Sequence, residues 1–568
     1  MTRRTGAQMI WETLLTEGVT TVFGYPGGAI LPAYDAMLDY PIRHVLVRHE
    51  QNAVHMADGY TRASGQVGVV IATSGPGATN LVTGIATAFM DSSPVVCVTG
   101  QVSSHLLGSD AFQEIDIVGI TIPVTKQNFL VTRAEDIAPT LRLALHVARS
   151  GRPGPVLVDI TKDAQQSEID GVECDVPLAK ACPVAAGDDI DRALDLIRSA
   201  ERPLILAGQG VLLSGASEEL RTFAERSRAP VAMTLLGIGA LPASHPLNLG
   251  MMGMHGEAWV NQAIQESDLL LAFGMRFDDR VTGDPKKYAP LARKIHAELD
   301  PAEVNKIIKV DVALIGDLAA TLRALLDHLS PLDHAPWLAH IAALTGDAAV
   351  RDIKHLPDDG HLYAAHVIHD IWRLTGGKAL VTTDVGQHQM WEAQYYHHEE
   401  PRSLITSGGL GTMGFGFPAA LGAKLARPDA EVWAIVGDGG FQMTQAELAT
   451  AAQEGIKVNI AVIDNGYLGM VRQWQQFFYK RRYSATPISS PDFVALARAH
   501  GLDGVCVKAR HEVEDAVRWA RETGTTVILD FRVEQEDTVY PMVASGASLD
   551  TMIRRPVQSR LAETAGDL

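Results

Sequence analysis

Cysteine is scarce: Cys97, Cys174, Cys182 and Cys506 are scattered through 568 residues, too far apart for a disulfide framework or a paired-cysteine zinc knuckle, and in keeping with a reducing cytoplasm. Long apolar runs are missing as well, since stretches such as Val67 to Ala72 stop at serine, glycine or proline well short of a membrane span. Basic charge is in deficit, with 48 Lys and Arg against 67 Asp and Glu for a net charge of −19, which argues against a nucleic-acid groove or an anionic membrane surface as the main partner. No short repeat or low-complexity tract occurs. The opening MTRRTGAQMIWETLL carries two arginines, but Glu12 interrupts its apolar stretch and no small-residue cleavage site follows, so neither a signal nor a transit peptide is expected. What remains is the profile of a soluble, cytoplasmic enzyme of small-molecule chemistry.

Hydrophobic residues at 46% and charged residues at 20% match globular proteins, and at roughly 150 residues per domain the length predicts three or four full-sized cores. From Ala7 to Leu15 apolar residues recur at helical spacing, Gly18 stops the helix, and Thr20 to Phe23 read as a strand opening into GYPGG. Further apolar runs follow in VLV before Arg48, VGVVIAT before SGPGATN, PVVCVTG before Gln101, and PVLVDI ending at Ile160. Runs that are continuous rather than alternating predict strands covered on both faces by helices, hence a first α/β domain over 1–165. Between Thr161 and Gly187 the pattern lapses into a polar, proline-broken linker. RPLILAGQG, APVAMTLLG, SDLLLAFGMRF and ARKIHAELD predict a second unit over 190–330, and ALVTTDVGQ, EVWAIVGDGG, KVNIAVIDN and TTVILDF, with a helix over Gln442 to Gln453, a third over 360–540. The tail 541–568 lacks a strand and helix rhythm and is expected to wrap the surface or cover a site. The fold class is therefore α/β, with three doubly wound parallel-sheet domains.

The third unit carries the sharpest motif. After EVWAIV come Gly437-Asp438-Gly439-Gly440-Phe441, a helix, the strand KVNIAVI, and then Asp464-Asn465-Gly466-Tyr467. Both polar ends fall at the carboxyl ends of adjacent parallel strands, where open α/β sheets bind ligands. Asp438 and Asn465 offer side-chain oxygens suited to a hard cation such as Mg²⁺, and the glycines let a diphosphate approach the backbone at a helix N-terminus. A tight turn is the plain reading of GDG alone. A rival lies nearby, because Gly409-Leu410-Gly411-Thr412-Met413-Gly414 satisfies GxGxxG and is followed by the helical FPAALGAKLA and by Asp429 and Glu431. That is the outline of a dinucleotide fingerprint, although RSLITSG supplies only a marginal strand before it.

The interval of 27 residues from Asp438 to Asn465 resembles that of thiamine-diphosphate enzymes, in which GDG is followed at such a distance by asparagine; Asp464 stands where the family often has a second asparagine. GYPGGAILPAYD, RHEQNAVHMADGYTRASG, TSGPGATN and SDAFQE then occur in the order seen in acetohydroxyacid (acetolactate) synthases. SGRPGPVLVDI, GMHG, RFDDRVTGD, DVGQHQMW and GMVRQWQ extend the likeness over nearly the whole chain, which is identified as a catalytic large subunit of that family. By the resemblance 1–165 binds the cofactor's pyrimidine, 190–330 binds FAD and 360–540 binds diphosphate and Mg²⁺.

The resemblance also implies roles. Glu50, on sequence alone an ordinary surface ion-pair partner, becomes the carboxylate that hydrogen-bonds the aminopyrimidine. Phe112, Gln113 and Lys162 line the substrate side, with Thr161 where the family commonly has proline. Arg280 receives the second ketoacid's carboxylate, which a guanidinium fork suits; Trp474 selects a second substrate with an ethyl group, and Met254 and Val385 supply apolar walls. Met413 props the bent cofactor. Val385, Gly386, Gln387, His388, Gly411, Gly437, Asp438, Gly439, Gly440, Asn465, Tyr467, Leu468, Gly469 and Met470 surround it, and Mg²⁺ takes Asp438, Asn465 and the carbonyl of Tyr467. For a structural FAD the matching positions are Gly208, Gly210, Gly253, His255, Gly274, Arg276, Glu298 and Asp317. His397-His398-Glu399-Glu400 resembles a metal cluster but reads better as a solvated loop, and Cys97 as core.

The implied reaction decarboxylates pyruvate on thiamine diphosphate and condenses the hydroxyethyl group with a second 2-ketoacid, giving 2-acetolactate or 2-aceto-2-hydroxybutyrate for branched-chain amino-acid synthesis. A homodimer or homotetramer with shared sites and a small regulatory subunit are implied partners. Pyruvate oxidase or another thiamine-diphosphate-dependent ketoacid decarboxylase is the alternative within the class. A dehydrogenase using GLGTMG, or a non-catalytic scaffold, lies outside it; Asp438 with Asn465 argues against the first and Glu50 against the second.

Overall fold

A computed structural model describes residues 3–170, 183–348 and 360–555. Cys174, Cys182, much of the proline-broken segment and the end of the tail lie outside the described residues. The chain divides into two compact units, residues 1–182 with 360–536, and 183–359 with 537–568. Among the described residues no helix is long and apolar enough to cross a membrane.

The first unit holds two six-stranded sheets, every neighbouring pair parallel. In the N-terminal sheet Arg43–Leu46, Thr21–Gly24, Gly68–Ala72, Val95–Gln101, Val156–Thr161 and Gln127–Val131 lie side by side in that order. In the C-terminal sheet the order is Leu404–Ile405, Leu380–Thr383, Val432–Gly437, Asn459–Asp464, Val527–Arg532 and Asp503–Val507. Numbered along each domain, both read 2-1-3-4-6-5, so the chain carries one topology twice. Buried runs such as Val156–Thr161 and Asn459–Asp464, in which every residue is inaccessible, explain the continuous apolar patterns, because helices cover both faces.

One core joins these two domains: Phe23, Val54 and Met56 pack in the same cluster as Phe415, Phe417 and Leu421. Its seam is the helix Glu50–Ser64 against Gly416–Ala426. A Cβ at Gly59 would stand 2.1 Å from the carbonyl oxygen of Ala419, and one at Gly422 1.8 Å from that of Met56. Each helix thus presents a glycine to the other's backbone, the close approach for which the residue type is needed.

The second unit has its own parallel sheet, Asn248–Met251, Val231–Met233, Pro203–Ala207, Leu269–Phe273, Arg293–Glu298 and Val312–Ile315. Numbered within the domain this is 3-2-1-4-5-6, the order of dinucleotide-binding doubly wound sheets. Residues 537–555 of the tail are built into this unit. Met542–Val543 pairs antiparallel with Met552–Ile553, Val543 and Leu549 join the unit's core, and the amide of Val543 donates to the carbonyl of Met254 at 2.8 Å.

Two expectations change. Residues after Thr161 form a helix, Lys162–Gln166, and a strand, Glu168–Asp170, that pairs with Arg3–Thr5, so the loss of apolar rhythm marked short surface elements as well as a connection. Gln127–Val131, Asn248–Met251 and Asp503–Val507, which lack a continuous apolar run, lie at sheet edges, where one flank faces solvent and the burial demand that writes the run is relaxed.

Candidate active site

In the C-terminal domain the strand order reverses between Leu380–Thr383 and Val432–Gly437, and the crevice beyond their carboxyl ends is where such sheets take ligands. The helix Asp438–Thr444 starts here with Gly437 as its N-cap. A Cβ on Gly437 would meet the His388 ring at 2.8 Å, and one on Gly439 would meet Leu468 Cδ2 at 2.9 Å, Ile488 Cδ1 at 3.2 Å and Met413 Cε at 3.7 Å. At Gly440 it would lie 1.9 Å from Asp384 Oδ2. The cradle has no room for side chains because His388, Met413, Leu468 and Asp384 already face it.

Asp438 Oδ2 accepts from the amide of Gly466 at 3.1 Å and from Ser490 Oγ at 3.2 Å. Burial, then the charge of Asp464, pushes its carboxyl well above the usual range. Asn465 Oδ1 accepts from the amide of Tyr467 at 3.0 Å, and its Nδ2 donates to Gln387 Oε1 at 3.2 Å. Gln387 Nε2 donates in turn to Gln473 Oε1 at 2.9 Å. A Cβ on Gly469 would strike Gln387 Oε1 at 2.3 Å, so that glycine serves the same contact. Val385 Cγ1 lies 3.8 Å from the Cβ position of Gly411, and Met470 is half-buried in the helix Gly469–Phe478. Trp474 lies on that helix, half-buried, edge-on to Phe478 at 5.3 Å.

Sequence reading passed over Asp384, which lies inside the quoted TDVGQ. Its Oδ1 accepts from the amides of Val385 at 2.8 Å and Gly414 at 2.7 Å, while Oδ2, like His388 Nε2, is buried without a hydrogen-bond partner. Burial pushes Asp384 up to about 7 and His388 down to about 3. A charged residue ending an otherwise apolar strand was the available signal.

In the N-terminal domain Glu50 opens the helix Glu50–Ser64, whose N-cap is His49 and which Gly65 ends at φ 78°. Asn80 Nδ2 donates to Glu50 Oε2 at 2.9 Å, and Oε1 is 3.4 Å from the Cβ position of Gly77. Gly75, two residues earlier, is backed by Gln113 Cβ at 2.9 Å, so Glu50 and Gln113 flank one turn. Phe112 is 89% exposed. Lys162 is half-buried and opens the helix in which Gln165 Nε2 donates to the carbonyl of Ala29 in GYPGGA at 2.9 Å. The C-terminal domain holds the base of the Glu50 helix: Glu447 Oε1 accepts from the amides of Arg48 at 2.9 Å and His49 at 3.2 Å, and from Asn52 Nδ2 at 2.8 Å.

The second unit brings Arg280 and Met254 together. The amide of Met254 donates to the carbonyl of Arg280 at 2.7 Å, and Arg280 Nη1 lies 3.8 Å from Met254 Sδ. Arg280 is exposed beside Asp279. His255 is buried, its Nδ1 3.2 Å from the carbonyl of Pro541, and burial lowers it to about 4. At this sheet's switch point Gly208 and Gly210 abut Gly274, with Cβ positions 2.2 Å from its oxygen and 2.6 Å from its Cα. A Cβ at Gly253 would meet the carbonyl oxygen of Arg280 at 2.4 Å, so these four glycines answer to backbone packing whatever else they face. Arg276 is half-buried. Glu298 Oε1 accepts from the amide of Leu299 at 2.9 Å, and Asp317 caps the helix Leu318–His328 through the amide of Ala320 at 2.9 Å.

The hydrogen bonds of the turn count against the dinucleotide rival at GLGTMG. The amides of Gly408 and Gly409 are taken by Asp91, that of Thr412 by Ser407 and that of Gly414 by Asp384, so these four are not available to a pyrophosphate. The HHEE stretch is also corrected: His398 is buried between Glu392 Oε1 at 2.8 Å and Ser403 Oγ at 2.7 Å. Among the described residues no three His, Cys, Asp or Glu side chains converge as a metal cluster.

Models of thiamine pyrophosphate enzymes match the chain in three places: the N-terminal TPP binding domain over 4–120, the central domain over 190–325 and the C-terminal TPP binding domain over 384–531. The chain is 49% identical over 561 residues to an acetolactate synthase large subunit of Corynebacterium glutamicum, covering 96% of this chain and 89% of that one. An acetolactate synthase of Mycobacterium bovis is 48% identical over 563 residues, covering 96% and 91%. The large subunit of acetolactate synthase isozyme 2 of Escherichia coli is 45% identical over 557 residues, covering 97% and 99%.

Proposed function

The chain belongs to the acetolactate synthase large-subunit family of thiamine-diphosphate enzymes, and on that premise we propose how its residues divide the work. Its activity is acetolactate synthesis on thiamine diphosphate, and the names of its relatives favour this over the pyruvate oxidase alternative. The single observation that carries the division of roles is the cradle at the C-terminal switch point, where Asp438 and Asn465 follow adjacent strands, the buried, unpartnered Asp384 Oδ2 faces Gly440 and the His388 ring backs Gly437.

Thiamine diphosphate, when bound, supplies the electron sink that lets a 2-ketoacid lose CO₂ and its two-carbon remainder join a second ketoacid. Gly437, Gly439 and Gly440 leave its diphosphate room at the helix N-terminus. Mg²⁺ fits Asp438, Asn465 and the carbonyl of Tyr467, three hard oxygens that leave places for diphosphate and water. A cation there would also relieve the crowding of Asp438 by Asp464. Met413, Leu468, Gly411 and Val385 form the apolar wall of the cradle, with Gly386, Gln387, His388, Gly469 and Met470 around it.

Glu50 is the proton-handling group. Asn80 holds its Oε2, so Oε1 is the oxygen left to share a proton with the aminopyrimidine ring. Gln113 and Lys162 act on the substrate side with Phe112. The adjacency of Arg280 to Met254 and their motif match support Arg280 as the fork for the second ketoacid's carboxylate, with Met254 beside it as an apolar surface. Trp474 discriminates methyl from ethyl on that second ketoacid.

FAD belongs to the middle domain as a structural group. The 3-2-1-4-5-6 order and the glycines at its switch point support this, with Gly253, His255, Arg276, Glu298 and Asp317 as further contacts. A homodimer or homotetramer whose sites combine Glu50 of one subunit with Asp438 of another, and a small regulatory subunit, complete the reading, with family membership as its support.

The test is to incubate the protein with pyruvate, thiamine diphosphate, Mg²⁺ and FAD, omitting each in turn while following pyruvate loss and acetolactate. Acetolactate that requires thiamine diphosphate and Mg²⁺ is the expected result. Acetate or acetyl phosphate in its place would overturn the assignment.

A further inference from the structure

The turn from Gly408 to Gly414 hangs on carboxylates of two domains. Asp91, which follows the helix Val82–Met90 of the N-terminal domain, accepts from the amide of Gly409 at 2.6 Å and from that of Gly408 at 3.1 Å. Thr87 on the same helix shares a 2.7 Å hydroxyl hydrogen bond with Thr412. From the other side Asp384 takes the amide of Gly414. Gly409 has no room for a Cβ, which would stand 2.8 Å from Asp91 Oδ1 and 2.9 Å from Met90 Cβ.

The charge of Asp91, 1% exposed, is balanced by Arg62. Its Nη2 donates to Asp91 Oδ2 at 2.9 Å, its Nη1 donates to the carbonyl of Thr406 at 2.7 Å, and its Nε donates to Asp58 Oδ1 at 2.7 Å. Burying two carboxylates around one guanidinium carries a desolvation cost that well-packed apolar side chains would avoid, so packing alone does not account for Asp91. What its two oxygens provide is a pair of charge-assisted hydrogen bonds to successive amides, which fixes the backbone that delivers Met413 to the Gly439 turn.

We infer that Asp91 is a positioning residue of the cofactor site: it reaches from the N-terminal domain to hold the 408–414 turn, and so Met413, in the place the bound cofactor requires. Arg62 pairs with it and Thr87 adds a second tether. The inference rests on the reading of that turn as lying against thiamine diphosphate.

Two variants remove one negative charge from the same buried cluster. Asp91→Asn strips acceptor capacity from the turn, while Asp58→Asn alters only bonds to Arg62 and Ser93. In each full-length variant the thiamine diphosphate Kd is measured by tryptophan quenching at saturating Mg²⁺, and deuterium uptake over 404–415 is measured without cofactor. Asp91→Asn is expected to raise Kd by about tenfold and to raise uptake over the turn, whereas Asp58→Asn keeps wild-type values of both even where its thermal midpoint falls as far. Equal effects in the two variants would overturn the positioning role. Met413→Ala separates the premise. If it weakens cofactor binding while Asp91→Asn binds as wild type, the role of Asp91 alone is overturned. If Met413→Ala binds as wild type, the turn does not contact the cofactor and the inference goes with it. Should Asp91→Asn not fold, Thr87→Val carries the test, with Kd raised by about threefold expected and an unchanged Kd overturning it.

Discussion

Asp159 lies inside the N-terminal sheet, where Oδ1 accepts from Thr99 Oγ1 at 2.7 Å and Oδ2 from Gln101 Nε2 at 2.9 Å. Burial outweighs both bonds and pushes its carboxyl up to about 7. Because the folded value lies above the unfolded one, the folded protein holds the extra proton between roughly pH 4 and 7, and stability falls as pH rises through that window. An asparagine there could accept from Gln101 and donate to Thr99. Asp159→Asn should therefore raise the thermal midpoint over wild type by several degrees at pH 8 and by much less at pH 5; an equal difference at both would show that the carboxylate is not the cost. At the substrate, Trp474→Leu should lower the preference for 2-ketobutyrate over pyruvate in a competition assay, and an unchanged product ratio would remove Trp474 from that role. Both residues were readable as types in the sequence. Only Trp474 was singled out, since nothing in PVLVDI marks an aspartate whose partners come from another strand.

Among elements, the seam between Glu50–Ser64 and Gly416–Ala426 is the most constrained. A methyl at Gly422 must displace the backbone of Met56, so Gly422→Ala should cost about 1–3 kcal/mol through overpacking, read as a thermal midpoint lowered by several degrees. Gly524→Ala is the control, because nothing lies within 4 Å of its Cβ position and its midpoint should stay near wild type. Equal midpoints for the two would show that the helices can part without cost. The helix Val82–Met90 matters at the same scale. Asn80 just before it touches Glu50, and Asp91 just after it holds the Met413 turn, so one short helix ties the carboxylate proposed to handle the proton to the turn proposed to support the cofactor. Central strands were legible because helices on both faces demand unbroken apolar runs. The edge strands Gln127–Val131 and Asp503–Val507 share a burial pattern in which the first and fourth residues are exposed, the two between them half-buried and only the last buried, and that demand is absent there.

For the whole molecule, the proposal that sites are shared between subunits makes a sharp prediction. Glu50→Gln and Asp438→Asn should each abolish acetolactate formation when pure. Unfolded and refolded together as an equal mixture, they should regain roughly a quarter of wild-type turnover, since half the dimers are mixed and each mixed dimer keeps one intact site. No recovery, with mixed dimers shown to form, would place Glu50 and Asp438 in the same subunit's site.

Sequence alone determined the three α/β domains and the cofactor class, and it singled out the turns proposed to meet the diphosphate and metal, because that chemistry is written in contiguous turns directly after apolar strands. Tertiary structure alone decided which buried polar groups hold those turns in place. Asp91 and Gly409 are 318 positions apart, and Glu447 and Asn52 395; at such separations a hydrogen bond exists only because two domains share one core, and no local pattern of residues records it.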